Sequence, residues 1–303
     1  MGGIELGNAG VLRPGKLRWL RAIGWMLALF VALTAAFSIF TIFGLPLAVK
    51  ATGGTFTTPK AAPQDVKLAM IVAGVAIAIA LYVLAVRRGE KRRPAELALR
   101  PLPVELIGGL AVGGALMAAT LGTLWATGWV AIQPQAITRW MPAVREMIQS
   151  GVLEELLFRL VAFRLLWRAF GVWWALALSA ALFGGLHLGN PNATIFAAIC
   201  IAFEAGILLA AFYVLTGRLW ASVGVHAGWN FTQGWIFGAA VSGSPGGFAG
   251  GPLATQPVAG VPAMLSGGAF GPEASLAALL ICTGAGASVL WLAWRKGRMT
   301  TAD

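Results

Sequence analysis

Six ionisable side chains stand in stretches otherwise rich in hydrocarbon: Glu154, Glu155, Arg159, His187, Glu204 and His226. Their spacing is informative. At about 100° per residue, Glu155 and Arg159 lie about 40° apart on one helical face and can pair, which makes the arginine tolerable there. Glu154 points about 100° away from Glu155 and has no partner on its own helix. One carboxylate is thus structurally paired and the other is free to act, unless all three groups merely stitch helices together. Phe183 and His187 are also one turn apart, and a lone helical histidine is ordinarily a hydrogen-bonded packing residue. His226 and Asn230 repeat the i, i+4 spacing and stack two side chains with polar N–H groups, which could stabilise a developing negative charge. Glu204 receives no role.

The elements that must position these groups follow from composition. The chain has 303 residues, 58% of them apolar and 11% charged, with mean hydropathy +0.80. A soluble fold of this size cannot hide that much hydrocarbon. Soluble enzymes, disordered chains and disulfide scaffolds are excluded, and Cys200 and Cys282 both sit in apolar segments as packing residues. An all-α, polytopic membrane bundle is expected, with eight spans at 22–46, 68–86, 104–130, 143–164, 173–189, 194–216, 219–240 and 274–294. The first is too long for a cleavable signal and lacks a small-residue exit. Counting rises of about 1.5 Å per residue across a core of about 30 Å puts Glu154, His187, His226 and Asn230 within about 5 Å of the midplane. Independent packing roles do not explain that convergence.

The net charge of +11 would suggest nucleic acid in a soluble protein. Here 17 of the 22 Lys and Arg fall on one side of the spans, the positive-inside pattern, so both termini are expected in the cytoplasm and no nucleic-acid partner is expected. Two regions are anticipated: 1–140, with three spans and a basic cytoplasmic linker at 87–100 touching lipid head groups, and 141–303, with five spans and the motifs. Residues 241–273, with nine Gly, five Pro and no Lys or Arg, form the longest external loop, a lid or a connector. Gly109 and Gly113 suggest close helix packing.

EELLFR (154–159), FGGLH (183–187) and HAGWN (226–230) fit E-E-x-x-x-R, F-x-x-x-H and H-x-x-x-N on successive spans. In this order they resemble the CPBP (CAAX protease and bacteriocin-processing) family of intramembrane proteases, which includes the type II CAAX prenyl endopeptidases. TGRLWASVGVHAGWNFTQG (216–234) and GGAFGPEAS (267–275) resemble the flanks of bacterial members. The resemblance covers roughly 145–275. It implies peptide-bond hydrolysis by an activated water, with Glu154 and His187 binding that water, His226 and Asn230 stabilising the oxyanion, and Glu155, Arg159 and Phe183 in support. No cofactor is implied. The expected partners are a membrane-embedded or lipidated peptide substrate and membrane lipids, and the expected site is the bacterial inner (plasma) membrane.

Other chemistries compete unequally. An H-E-x-x-H zinc site is absent, the aspartates Asp65 and Asp303 lie outside the spans, and Ser179, Ser242 and Ser244 lack a serine-protease context. Glu154, His187 and His226 are a legitimate zinc set, although Asn230 fits an oxyanion role better. A transporter, a catalytically idle scaffold and an immunity protein are the non-enzymatic alternatives. The charge split makes the topology testable. Reporter fusions at residues 60 and 255 should read external and one at residue 95 internal, and any reversal breaks the assignment.

Overall fold

The computed structural model describes residues 4–53 and 62–300. Among the described residues six helices are long and apolar enough to cross a membrane: Arg18–Ala51, Gln64–Glu90, Leu102–Ala126, Val172–Gly189, Ile195–Thr216 and Leu276–Arg295. The first is α1 (Arg18–Ala51); the second is α2 (Gln64–Ala85) with a π-helical turn at Val86–Glu90; the third is α3 (Leu102–Ala126). The two other expected spans are helical as well but carry the polar motifs, so six apolar helices stand where eight were expected. Residues 141–170 run from α4 (Met141–Ile148) through wide π-helical segments at Gln149–Glu154 and Leu156–Phe163 into α5 (Arg164–Phe170). Gly171, with φ +89°, turns the chain sharply into α6 (Val172–Leu186).

Thr194 then caps α7 (Ile195–Ile201), accepting from the N–H of Ala197, and a π-helical segment at Ala202–Ile207 leads into α8 (Leu208–Thr216). Past Gly217 comes α9 (Leu219–Phe231), widened at its end over Thr232–Ile236, then the short α10 (Ala263–Ser266) and α11 (Leu276–Arg295), capped by Ser275. The motif helices are central: Glu155 to Trp167 and Leu219 to Gly228 are buried throughout, whereas α1, α2, α3 and α11 present most of their apolar surface outward. That is where lipid would lie.

Two expectations need correction. The segment 241–273 is not structureless. Its strand β2 (Leu253–Pro257) pairs antiparallel with β1 (Val130–Pro134), Val130 opposite Pro257, and the expected span 104–130 ends as a helix at Ala126. The partner strand lies more than a hundred residues away, so no local pattern announces it. The linker 87–100 is also more than a basic surface. Arg164 forks onto Glu90 at 2.7 and 2.9 Å, Glu90 also accepts from Trp25 and Arg92, and Arg92 forks onto Glu96, which accepts from Tyr82. Burial opposes a charge on Glu96, but the Arg92 hydrogen bonds hold its carboxyl below the usual range. The network joins α1, α2, the linker and α5.

The GxxxG spacing does what was expected of it. A Cβ on Gly113 would fall 2.0 Å from the carbonyl oxygen of Val225, and one on Gly228 would fall 2.3 Å from that of Leu110. Backbones of α3 and α9 therefore touch, and this contact sets where α9 holds His226 and Asn230. Gly113→Val should push the helices apart, lower stability by about 1–3 kcal/mol and impair activity. Gly122→Val, on the same helix with open space around it, should be neutral in the same thermal unfolding measurement.

Candidate active site

Glu154, His187, His226 and Asn230, from three separate helical segments, line one cavity of about 520 Å³, together with Phe158 and Phe183. Glu154 closes the π-helical segment Gln149–Glu154, and widened turns of this kind recur at functional sites. Among the described residues it makes no hydrogen bond, consistent with its expected freedom. Glu155 and Arg159 do not line the cavity. They lie behind it, both fully buried, and pair as the helical spacing predicts.

That pair is fully engaged. Arg159 donates from Nε to Glu155 Oε2 at 2.8 Å and from Nη2 to Oε1 at 3.2 Å and to the carbonyl of Ala205 at 2.8 Å. Its guanidinium also lies 5.3 Å from the centre of the Phe183 ring. Glu155 Oε1 reaches across to His226 Nδ1 at 3.0 Å. An ionised carboxylate only accepts, so the proton of this bond sits on Nδ1. The neutral ring then presents Nε2 as an acceptor, and His226 donates into the cavity only when it carries both protons. Of the two polar side chains stacked on α9, His226 therefore has its Nδ1–H already engaged by Glu155.

His187 is fixed in the same tautomer, by a backbone carbonyl instead of a carboxylate. Its Nδ1 lies 2.7 Å from the carbonyl oxygen of Phe183, which can only accept, so Nδ1 carries the hydrogen and Nε2 keeps a lone pair for the cavity. Phe183 holds the ring at 4.7 Å centroid separation and meets His226 edge-on at 6.4 Å. It acts as the spacer between the two histidines and Arg159.

The orientation of Asn230 depends on a residue that motif reasoning missed. Ser150 donates its hydroxyl hydrogen to the carbonyl of Glu146 at 2.7 Å, leaving its oxygen able only to accept. The Asn230 amide nitrogen therefore faces Ser150, at 3.0 Å, and retains a second N–H. Ser150 stands one turn before Glu154, which is the signal that ties it to the site. Glu204 and Glu273 also line the cavity. The backbone N–H of Ser242 donates to Glu273 Oε1, and burial pushes the Glu273 carboxyl up to about 8 despite that bond. A single carboxyl in a loop devoid of Lys and Arg, just before an apolar run, is its trace in the sequence. Among the described residues no three His, Cys, Asp or Glu side chains are grouped so as to hold one metal ion.

Residues 136–232, about a third of the chain, match the family described as type II CAAX prenyl endopeptidase, Rce1-like. All three motifs fall inside the match, and the resemblance they carry holds. The matched segment is similar to that of CAAX protease-type endopeptidases, and it lies among helices long and apolar enough to cross a membrane. No curated protein and no solved structure matches the chain.

The geometry separates the two glutamates by consequence. Glu155→Gln leaves the Arg159 guanidinium without its counter-charge in the interior, and should cost about 3–5 kcal/mol of stability. Arg159→Leu should do the same to Glu155. Glu154→Gln, which breaks no hydrogen bond within the described residues, should unfold at nearly the wild-type temperature. Full stability in Glu155→Gln together with lost activity would reverse these assignments.

Proposed function

We propose that the protein hydrolyses a peptide bond of a membrane-embedded or lipidated protein, using a water activated by Glu154 and His187. The observation that carries this reading is the convergence of Glu154, His187, His226 and Asn230 on one cavity. The family match supports the peptidase class. The excess of Lys and Arg on one side of the spans supports a cytoplasmic location for both termini, in a bacterial inner membrane.

In this mechanism a water bound between the Glu154 carboxylate and His187 Nε2 gives a proton to Glu154 and adds its oxygen to the scissile carbonyl carbon. The carbonyl oxygen becomes an oxyanion. Asn230 meets it with the N–H not used by Ser150, and doubly protonated His226 meets it with Nε2–H, Glu155 supplying the counter-charge behind the ring. Glu154 then returns its proton to the leaving nitrogen as the C–N bond breaks, and the new carboxyl and amine separate. Phe183 and Arg159 keep the two rings at their separation, so that water and oxyanion sites stay fixed relative to each other.

Two substitutions test the division of labour. Glu154→Gln should abolish turnover, and comparative membrane proteomics of wild-type and variant cells should show fragments that vanish. Asn230→Ala should lower kcat by about 10²–10³ without abolishing it. Purified protein should contain no stoichiometric zinc and should keep its activity in strong chelators. Zinc at one equivalent, lost with activity and restored with it, would replace the glutamate mechanism with a metalloprotease. A Glu154→Gln variant that functions normally in cells would make the chain a scaffold.

A further inference from the structure

The cavity holds two carboxyl groups that this reaction does not use. Glu204 projects from the π-helical segment Ala202–Ile207 and Glu273 from the turn Pro272–Ala274 just before α11, and both line the cavity that contains Glu154. Glu204 is 4% exposed and Glu273 2%. Neither oxygen of Glu204, nor Oε2 of Glu273, has a hydrogen-bond partner among the described residues. The other carboxyls buried to this degree, Glu90, Glu96 and Glu155, each accept from an arginine.

Apart from the two histidines, the ionisable groups that line the cavity are mostly acids. Glu146, Glu154, Glu204 and Glu273 face it, and the arginine that faces it, Arg145, is already bonded to Glu146 and Gln64. Buried carboxylates without donors are expensive, and the missing complement is a group with several N–H donors and a positive charge. A guanidinium offers five donors and an ammonium three, and neither accepts.

We infer that Glu204 and Glu273 form an anionic subsite that takes the side chain of a lysine or arginine of the peptide substrate, so that the enzyme selects a basic residue close to the bond it cuts. This rests on the protease reading above and adds a substrate class to it. With the subsite empty, burial keeps a proton on Glu273 near neutral pH. An entering cation supplies the charge that the proton supplied, so its binding releases a proton. Asn190, Ser242 and Ser244 add neutral polar groups to the cavity wall, and the backbone N–H of Ser242 donates to Glu273.

The test begins with binding, in full-length protein carrying Glu154→Gln so that no turnover intervenes. Benzamidine and its neutral isostere benzamide are titrated calorimetrically at pH 7 in two buffers of different ionisation enthalpy. Benzamidine should bind about tenfold or more tighter than benzamide, the scale of a buried charge-assisted hydrogen bond, and should release a proton. Adding Glu204→Gln or Glu273→Gln should erase both effects, and either variant serves should the other fail to fold. Amino-terminally acetylated peptides that differ by Lys, Ala or Glu at each position around the scissile bond are then compared by kcat/KM with the wild-type protein. Lys should be preferred at one position, and Glu204→Gln should remove that preference; acetylation excludes a free amino terminus as the cation.

Equal binding of benzamidine and benzamide, or discrimination that survives both glutamine variants, would overturn the subsite and make Glu204 and Glu273 a proton-sharing packed pair. Cleavage of all peptides alike would overturn the subsite and leave the protease reading standing. Cation binding by a protein that cuts no peptide would overturn the protease reading and leave the anionic subsite standing.

Discussion

The carboxylate of Glu155 binds Arg159 on its own helix and His226 on α9, and the interior of this protein is organised around that bridge. A guanidinium buried in a bundle that crosses hydrocarbon has to be neutralised nearby and have its donors taken up. Glu155 does the first and, with the Ala205 carbonyl and the face of Phe183, much of the second. Because the same carboxylate reaches His226, neutralising the arginine also sets the rotation and tautomer of the histidine. The glycine contact between α3 and α9 fixes how far α9 can approach, and the Glu155 bond fixes how it is turned.

A similar arrangement closes the other end of the 141–170 helix. Arg164, one and a half turns beyond Arg159, is held by Glu90, and Glu90 in turn belongs to the chain of contacts through Arg92 and Glu96 to Tyr82. The helix that carries Glu154 is thus gripped by two buried guanidiniums, each with its own carboxylate. The buried acids divide accordingly. Those bonded to arginine lie behind the cavity or away from it, and those without arginine face into it. Placement of the acids separates those that hold the bundle from those that line the cavity.

Much of this was legible in the residues. The i, i+4 spacing of Glu155 and Arg159 predicts their pair, and the same angles leave Glu154 facing elsewhere. Depth counting brings Glu154, His187, His226 and Asn230 to one level, and they meet in one cavity. What was not legible depends on contacts across large sequence separations. Nothing near His226 shows that its Nδ1 is taken by Glu155, 71 residues earlier. The basic linker reads as a surface because arginines dominate it, whereas Glu90 and Glu96 turn its Arg92 inward. β1 has no strand signature of its own and becomes one only beside β2. Glu273 stands in a loop whose composition suggests no structure, and only the fold carries it to Glu204.

The widened turns of the motif helices bear on how such sequences change length. A π-helical turn closes each ring with i→i+5 bonds and so spends one more residue than an α-turn on much the same advance. Residues 149–154, 202–207 and 232–236 are therefore places where a helix already carries surplus chain. Loss of one residue there tightens the helix to the ordinary pitch instead of breaking it. The change leaves the faces beyond it pointing as before, because the widened turn and the ordinary one each complete a single revolution. A deletion in 149–153 would therefore keep Glu154 toward the cavity and Arg164 toward Glu90, whereas the same deletion in an ordinary stretch such as α6 would turn everything beyond it by about 100°. The widened turns are thus the places where chains of this kind can differ in length by one residue and still present the same cavity wall.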